Sequence, residues 1–383
     1  MIKNFLLTFV VILGAASTAL ASSGGFRIFA SDAEAVGKGG AFTGEADNPS
    51  AIIYNPAGLT QLKGENYVSV GGALISPMVD YQNTAGDTVQ MRRKNFLVPH
   101  VYVVSDFNLP NAVFGVGTTS NFGLSTEWAD DSFSRYVATR TDLENIDNHF
   151  TIAYRVNEQL SLGAGVIYEI SKFNKEKNIN QQPGSDAFAQ LKGDDQTPGY
   201  TISGLYKFNP QHQAGLLYRS EIQHTYRGKA TADHLNDLGT YPLASIFGGS
   251  SYATNFVADF TLPQSGVIGY SYTPNDKWRF NIDAEWMDWS SIENEKVSFP
   301  DELNSTRLSI LDTLTASNRD WKSTLSYNLG TEYSYNEKLK LRGGYFFNPT
   351  PIPEANFDTA VPSSDCNGVS VGLGYLLDRK SVV

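Results

Sequence analysis

Trp278–Met287 reads WRFNIDAEWM, and its spacing decides the fold. Trp278, Phe280, Ile282, Ala284 and Trp286 alternate with Arg279, Asn281, Asp283 and Glu285. Successive side chains of a strand point to opposite faces, so this segment has one apolar and one charged face. LSLGAGVIYEI at 160–170 alternates in the same way, with Ile167 the exception, and so does LSYNLGTEYSY at 325–335.

Short polar turns separate such runs: VNEQ at 156–159, FNPQHQ at 208–213, YTPNDK at 272–277 and YNEK at 335–338. Other connections read as long and polar, at 172–197, 228–253 and 291–319. Short turns at one end and long loops at the other are the pattern of a transmembrane β-barrel. The expected fold is therefore all-β, an antiparallel barrel with about twelve strands between residues 65 and 377. A soluble sandwich would turn its charged face to water. Here the apolar faces carry aromatics near strand ends (Tyr168, Trp278, Trp286, Trp289, Tyr333, Tyr335), as expected where a barrel meets lipid headgroups. The charged face then lines the lumen, where Arg279, Asp283, Glu285, Glu332, Lys340 and Arg342 are expected to form a stiffening ion-pair network.

The leader supports export. MIKNFLLTFVVILGAASTALA has one early Lys, an apolar core and an Ala-Leu-Ala ending, a secretory signal with cleavage expected after Ala21. With 29 basic against 40 acidic residues, the chain lacks the positive potential that nucleic-acid binding requires. The single cysteine, Cys366, excludes an intrachain disulfide.

Residues 22–64 do not alternate. Within them, NPSAIIYNPAGLTQL (48–62) has two Asn-Pro pairs that favour turns, and Asn55-Pro56 can cap and open a short helix. So short a segment needs enclosure to hold a structure, and a barrel lumen needs filling. The reading is three parts: signal peptide at 1–21, plug at 22–64 and barrel at 65–383.

No enzyme signature accompanies this pattern. GKGG lacks the spacing of a phosphate loop, the five histidines form no metal-ligand set, and there is neither HExxH nor GxSxG. No cofactor is expected.

SGGFRIFASDAEAVGKGGAFTGEADNPSAIIYNPAGLTQLKG, at 23–64, resembles the N-terminal hatch of the FadL/TodX family of outer-membrane hydrophobic-compound transporters. NFGLSTEW at 121–128 and LRGGYFFNPTPIPEANFDTAVPSSD at 341–365 are similar to the family's third strand with its first long loop and to its late strand and loop. The resemblance implies a monomeric 14-stranded barrel in a Gram-negative outer membrane, among lipid and lipopolysaccharide. Its cargo would be long-chain fatty acids or, as an alternative, aromatic hydrocarbons. A solute porin is the main rival, and a surface-binding or adhesion barrel the second. Ligand would be caught near the long loops and released sideways where the third strand is kinked. By the same resemblance the hatch motif maps onto Asn55, Pro56 and Ala57, and the opening onto the strand carrying Gly115, Gly117 and Asn121. Phe122, Leu124, Trp128 and Phe133 are the expected groove residues, and Arg135, Arg140, Lys340 or Arg342 the expected contact for a carboxylate. The family ends on a strand with a terminal aromatic whereas this chain ends KSVV, so its two closing strands are expected to be missing.

Overall fold

The structure is a computed structural model that describes residues 6–7, 24–29, 31–64, 66–292 and 296–377. The expected cleavage point after Ala21 and the KSVV terminus lie outside these residues.

Fifteen long strand segments build the wall. They are β1 (Tyr67–Ile75), β2 (Phe96–Ser105), β3 (Ala112–Thr119), β4 (Gly123–Glu127), β5 (Arg140–Arg155), β6 (Leu160–Ile179), β7 (Ala187–Asn209), β8 (His212–Arg219), β9 (Ile222–Asp233), β10 (Ser251–Leu262), β11 (Ser265–Asn275), β12 (Trp278–Met287), β13 (Thr324–Ser334), β14 (Leu339–Asn348) and β15 (Cys366–Tyr375). Three pairs are continuations of one stave: β3 with β4, β8 with β9, and β10 with β11. Among the described residues the wall thus has twelve antiparallel staves. Pro263, which has no amide to give the ladder, sits at the β10–β11 junction.

The alternation resolves as expected for a lipid-facing wall. On β12, Ile282 and Trp286 are 47% and 41% exposed, whereas Asp283 and Glu285 are 1% and 4% exposed. No helix among the described residues is long and apolar enough to cross a membrane.

Two expectations need correction. The segments 172–197 and 228–253 are not simply loops: β6, β7 and β9 run on as paired strand through Ile179, from Ala187 and through Asp233. Above the lipid the outward face turns polar and the inward face mixes Phe173, Leu191 and Tyr226 with Lys175 and Lys177, so the apolar-out pattern of the lipid band is lost. Trp289 is also no interface anchor. It is 1% exposed and packs edge-on to Phe26, with ring centroids 4.9 Å apart.

The hatch comprises α1 (Ala33–Gly37), α2 (Ala51–Tyr54) and a 3₁₀ turn at Pro56–Leu62. Asp32 caps α1 by accepting from the Ala35 amide. Asn55 caps the 3₁₀ turn with Pro56 in its first position. Helix α1 lies against β14, β15 and β1, and the 3₁₀ turn against β5, β6 and β7. Gly115 makes room for this packing, because a Cβ there would fall 2.7 Å from Ile52 Cγ1. Above the hatch, the outer loops fold inward as α3 (Leu243–Phe247) and α4 (Ser305–Thr315).

Candidate functional site

The hatch is fixed by polar contacts that the wall supplies. Asn55 Nδ2 donates to the carbonyls of Thr43 (2.9 Å) and Gly204 (3.1 Å), while Oδ1 accepts from the Ala57 amide at 3.2 Å. That amide also donates to Ser203 Oγ at 2.9 Å. The Asp283 carboxylate accepts from the amides of Phe42 and Thr43 at 2.9 and 2.8 Å. Lys38, wholly buried, stands 2.9 Å from Glu34, 2.7 Å from Glu45 and 3.3 Å from Glu332. Arg279 pairs with Asp47 at 2.6 Å and also with Glu45, and Arg342 pairs with Glu34 and Glu332. The lumenal network expected of the wall charges therefore has the hatch as its main partner.

Above the hatch is a cavity of about 110 Å³. Its floor is Phe26, from the hatch strap Gly25–Phe29. Its walls include Phe173, Tyr226, Phe260 and Trp321, and its roof includes Leu243 and Phe247 of α3 with Leu311 and Leu314 of α4. Phe26 lies 5.9 Å from Trp321 and 5.8 Å from both Phe122 and Phe260, ring centre to ring centre. Three cations reach the rim: Lys175, Lys177 and Arg319. Lys177 Nζ donates to the Leu314 carbonyl at 2.6 Å, and Arg319 pairs with Asp358 at 2.5 Å. Lys177 stands on the part of β6 that rises clear of the membrane. Burial, with Lys175 alongside, pulls its pKa down to about 8.

A gap in the wall adjoins this pocket. Strand β3 pairs with β2 only over Val101–Ser105, and β4 pairs with β5. Phe96–His100 of β2 thus has no strand partner on that side among the described residues. Between β3 and β4 the chain turns inward and pairs with the hatch strap. The Ile28 amide donates to the Asn121 carbonyl at 2.8 Å and the Gly123 amide to the Phe26 carbonyl at 3.0 Å. Arg27 and Phe122 form an antiparallel bridge. Gly123 permits this approach, since a Cβ on it would lie 2.8 Å from Ile28 Cδ1. Asn121 Nδ2 donates to Asp147 at 2.5 Å, which holds the inward turn to β5. At the outer end Glu127 closes the gap through ion pairs with Arg92 (2.7 Å) and Lys94. Beneath the strap a second cavity of about 30 Å³ is edged by Arg27, Tyr54, Asn121 and Asp283.

Of the expected groove residues, Leu124 lines the large cavity. Phe122 lies below its floor against Phe26, while Trp128 is buried and donates to the Thr359 carbonyl at 2.9 Å. Phe133 stacks in the outer loops with Tyr81, 5.6 Å away. Arg135 pairs with Asp186 and Arg140 with Asp142, while Lys340 and Arg342 belong to the hatch network. None of these four lines the cavity. Gly115 and Gly117 lie in the fully paired part of β3, and Asn121 in the break. Phe173, Tyr226, Phe260 and Trp321 were not singled out from sequence. A signal for two of them existed: the inward faces of β6 and β9 turn from polar to apolar above Ser171 and His224, at Phe173 and Tyr226.

Residues 14–383 match the family described as outer membrane protein transport protein (OMPP1/FadL/TodX). The chain belongs to this family. It is 25% identical over 399 residues to the long-chain fatty acid transport protein of Escherichia coli strain K12, covering 94% of this chain and 86% of that one. It is 25% identical over 411 residues to a putative outer membrane protein of Neisseria meningitidis, at 98% and 87% coverage. The fold is shared with a Pseudomonas aeruginosa FadL homologue (TM-score 0.75, 18% identity, 93% and 88% coverage). It is also shared with the Ralstonia pickettii toluene transporter TbuX (TM-score 0.67, 18% identity, 94% and 100% coverage). As a FadL/TodX-family protein, the chain is an outer-membrane β-barrel that transports hydrophobic compounds, and it is a transporter rather than an enzyme.

Proposed function

We propose that the protein takes up small, uncharged aromatic compounds, which bind in the ring-lined cavity and leave sideways through the break between β3 and β4. The observation that carries this reading is the cavity itself. At about 110 Å³ it is of the order of the roughly 150 Å³ apolar cavity known to hold benzene. The α3 and α4 roof over this space suits a compact ring better than a long acyl chain. The floor, Phe26, belongs to the strap that pairs with the break, so binding above and opening below share one segment. Carrying apolar surface through water costs roughly 0.8 kcal/mol per CH₂ equivalent, which favours release into the bilayer over release into the lumen. Solved relatives of this fold include toluene transporters.

Long-chain fatty acid is the second reading. It is favoured by Lys175, Lys177 and Arg319 at the cavity rim, and curated relatives are named for that cargo. The test is initial uptake of labelled toluene and labelled oleate by cells lacking their own transporters of this family. Toluene uptake that depends on this protein and is abolished by Trp321→Arg supports the first reading. Oleate uptake alone overturns it in favour of the second.

A further inference from the structure

On the outer surface of the wall, above the lipid-facing band, basic side chains gather on three neighbouring staves. The band itself can be located on β6 and β7. Leu162, Val166 and Tyr168 face outward on β6, and Tyr206, Ile202 and Tyr200 on β7, all between 39% and 56% exposed. From Leu160 to Ile170 the strand covers about 33 Å, which a tilt near 40° reduces to roughly the 25 Å height of an outer-membrane apolar band. Tyr168 and Tyr200 mark its upper edge, with Tyr168 Oη donating to Gln196 at 2.7 Å.

Immediately above that edge, Lys172, Lys192, Arg227 and Lys229 are exposed on the same outward face. The register sets Lys192 of β7 directly opposite Lys229 of β9. One step lower, Asp194 lies between Lys172 of β6 and Arg227 of β9. Glu144 of β5 is opposite Lys172. Glu176 and Asp259 stand diagonally to Lys192 and Arg227 on the same face, so the cations without a carboxylate directly opposite are Lys192 and Lys229, on a chain whose net charge is -11. Among the described residues none of the four cations makes an ion pair within 4.0 Å. Like charges directly opposed on a sheet are destabilising, and neighbouring strands lie only about 4.8 Å apart. An outside anion that bridges Lys192 and Lys229 removes that repulsion.

We infer that this patch binds the phosphate groups of an acyl lipid in the outer leaflet. Height selects the lipid source: a phosphate at this level has its acyl chains alongside the Tyr168–Tyr200 edge, so headgroup and chains meet complementary surface at once. Basic residues at such an interface attract anionic lipid electrostatically. The patch lies on the lipid side of the wall and the transport pocket on the lumenal side, so the two act separately.

The test uses the full chain in nanodiscs carrying a bisphosphorylated acyl-disaccharide lipid, or the same lipid with its phosphates removed, with bound lipid counted by native mass spectrometry. Retention of the phosphorylated lipid is expected to exceed that of the other by about tenfold. Combined Lys172→Gln, Lys192→Gln, Arg227→Gln and Lys229→Gln substitution abolishes the preference, and Lys192→Arg with Lys229→Arg preserves it. Toluene binding, unchanged in every variant, reports that the barrel is folded. Excess inorganic phosphate leaves the lipid bound. Equal retention of the two lipids, a preference that survives the four substitutions, or displacement by inorganic phosphate overturns the inference.

Discussion

Asn55 and Lys38 show how single residues hold the hatch. Asn55 uses both ends of its side chain, on the carbonyls of Thr43 and Gly204 and on the Ala57 amide. Asn55→Ala takes the side-chain donor from both carbonyls, while the Ala57 amide keeps Ser203 Oγ, and leaving a buried polar group unmet costs about 1–3 kcal/mol. The expected result is a lower midpoint of thermal unfolding and faster proteolysis within residues 31–64. Lys38 is the more consequential residue. It carries no exposed surface and sits among Glu34, Glu45 and Glu332. Lys38→Met removes the one cation these three carboxylates share and leaves them only Arg279, Lys340 and Arg342, and the loss expected on breaking a buried ion pair is about 3–5 kcal/mol. Chemical denaturation should show that loss, and an effect below 1 kcal/mol would contradict the role assigned to Lys38. Lys177 gives a pH signature. Its ordinary pKa of 10.5 is pulled to about 8 in the folded protein. From about pH 8 to 10.5 the folded state holds a neutral amine and the unfolded state a charged one, so this group adds stability as pH rises through that window. The cavity rim loses a positive charge over the same range. Affinity for toluene should therefore rise between pH 7 and 9 while affinity for a fatty acid falls, and Lys177→Met should flatten both trends.

At the scale of elements, the break between β3 and β4 is the feature that joins pocket to wall. Its inward turn pairs with the hatch strap where, among the described residues, Phe96–His100 of the adjacent β2 has no strand partner on that side. Residues directly opposite in an antiparallel bridge have Cα atoms about 4.5–5.5 Å apart, within reach of a disulfide. Arg27→Cys with Phe122→Cys should thus form a bond that locks strap to break. Oxidised protein should keep binding a ring but lose transport, and reduction of the same variant should restore it. Equal transport in both forms would rule out movement of the strap as the exit step. The break was only partly legible in sequence. Asn121 and Gly123 stand within a motif resembling the family's third strand, but the pairing that makes a gap depends on Arg27, far away in the chain. The lengths of β6, β7 and β9 were misread for another reason. Outside the lipid their outward face turns polar while the inward face mixes Phe173, Leu191 and Tyr226 with Lys175 and Lys177, and the apolar-out contrast disappears.

For the whole molecule, the barrel was readable because lipid and lumen impose opposite demands on alternate residues of each strand, as Ile282 and Asp283 show. The plug was readable from Asn55-Pro56, whose cap and first helical position form as expected. The pocket was not. Its rings come from the hatch, β6, β9, β10 and the loop before β13, and no local pattern unites Phe26, Phe173, Tyr226, Phe260 and Trp321. The central claim is that a single aromatic ring binds among them. The most direct measurement is an anomalous-scattering map from crystals of the protein soaked with bromobenzene. The account predicts a bromine peak above Phe26, between Phe173 and Trp321. An empty cavity, with bromine only on the lipid-facing wall, would contradict it.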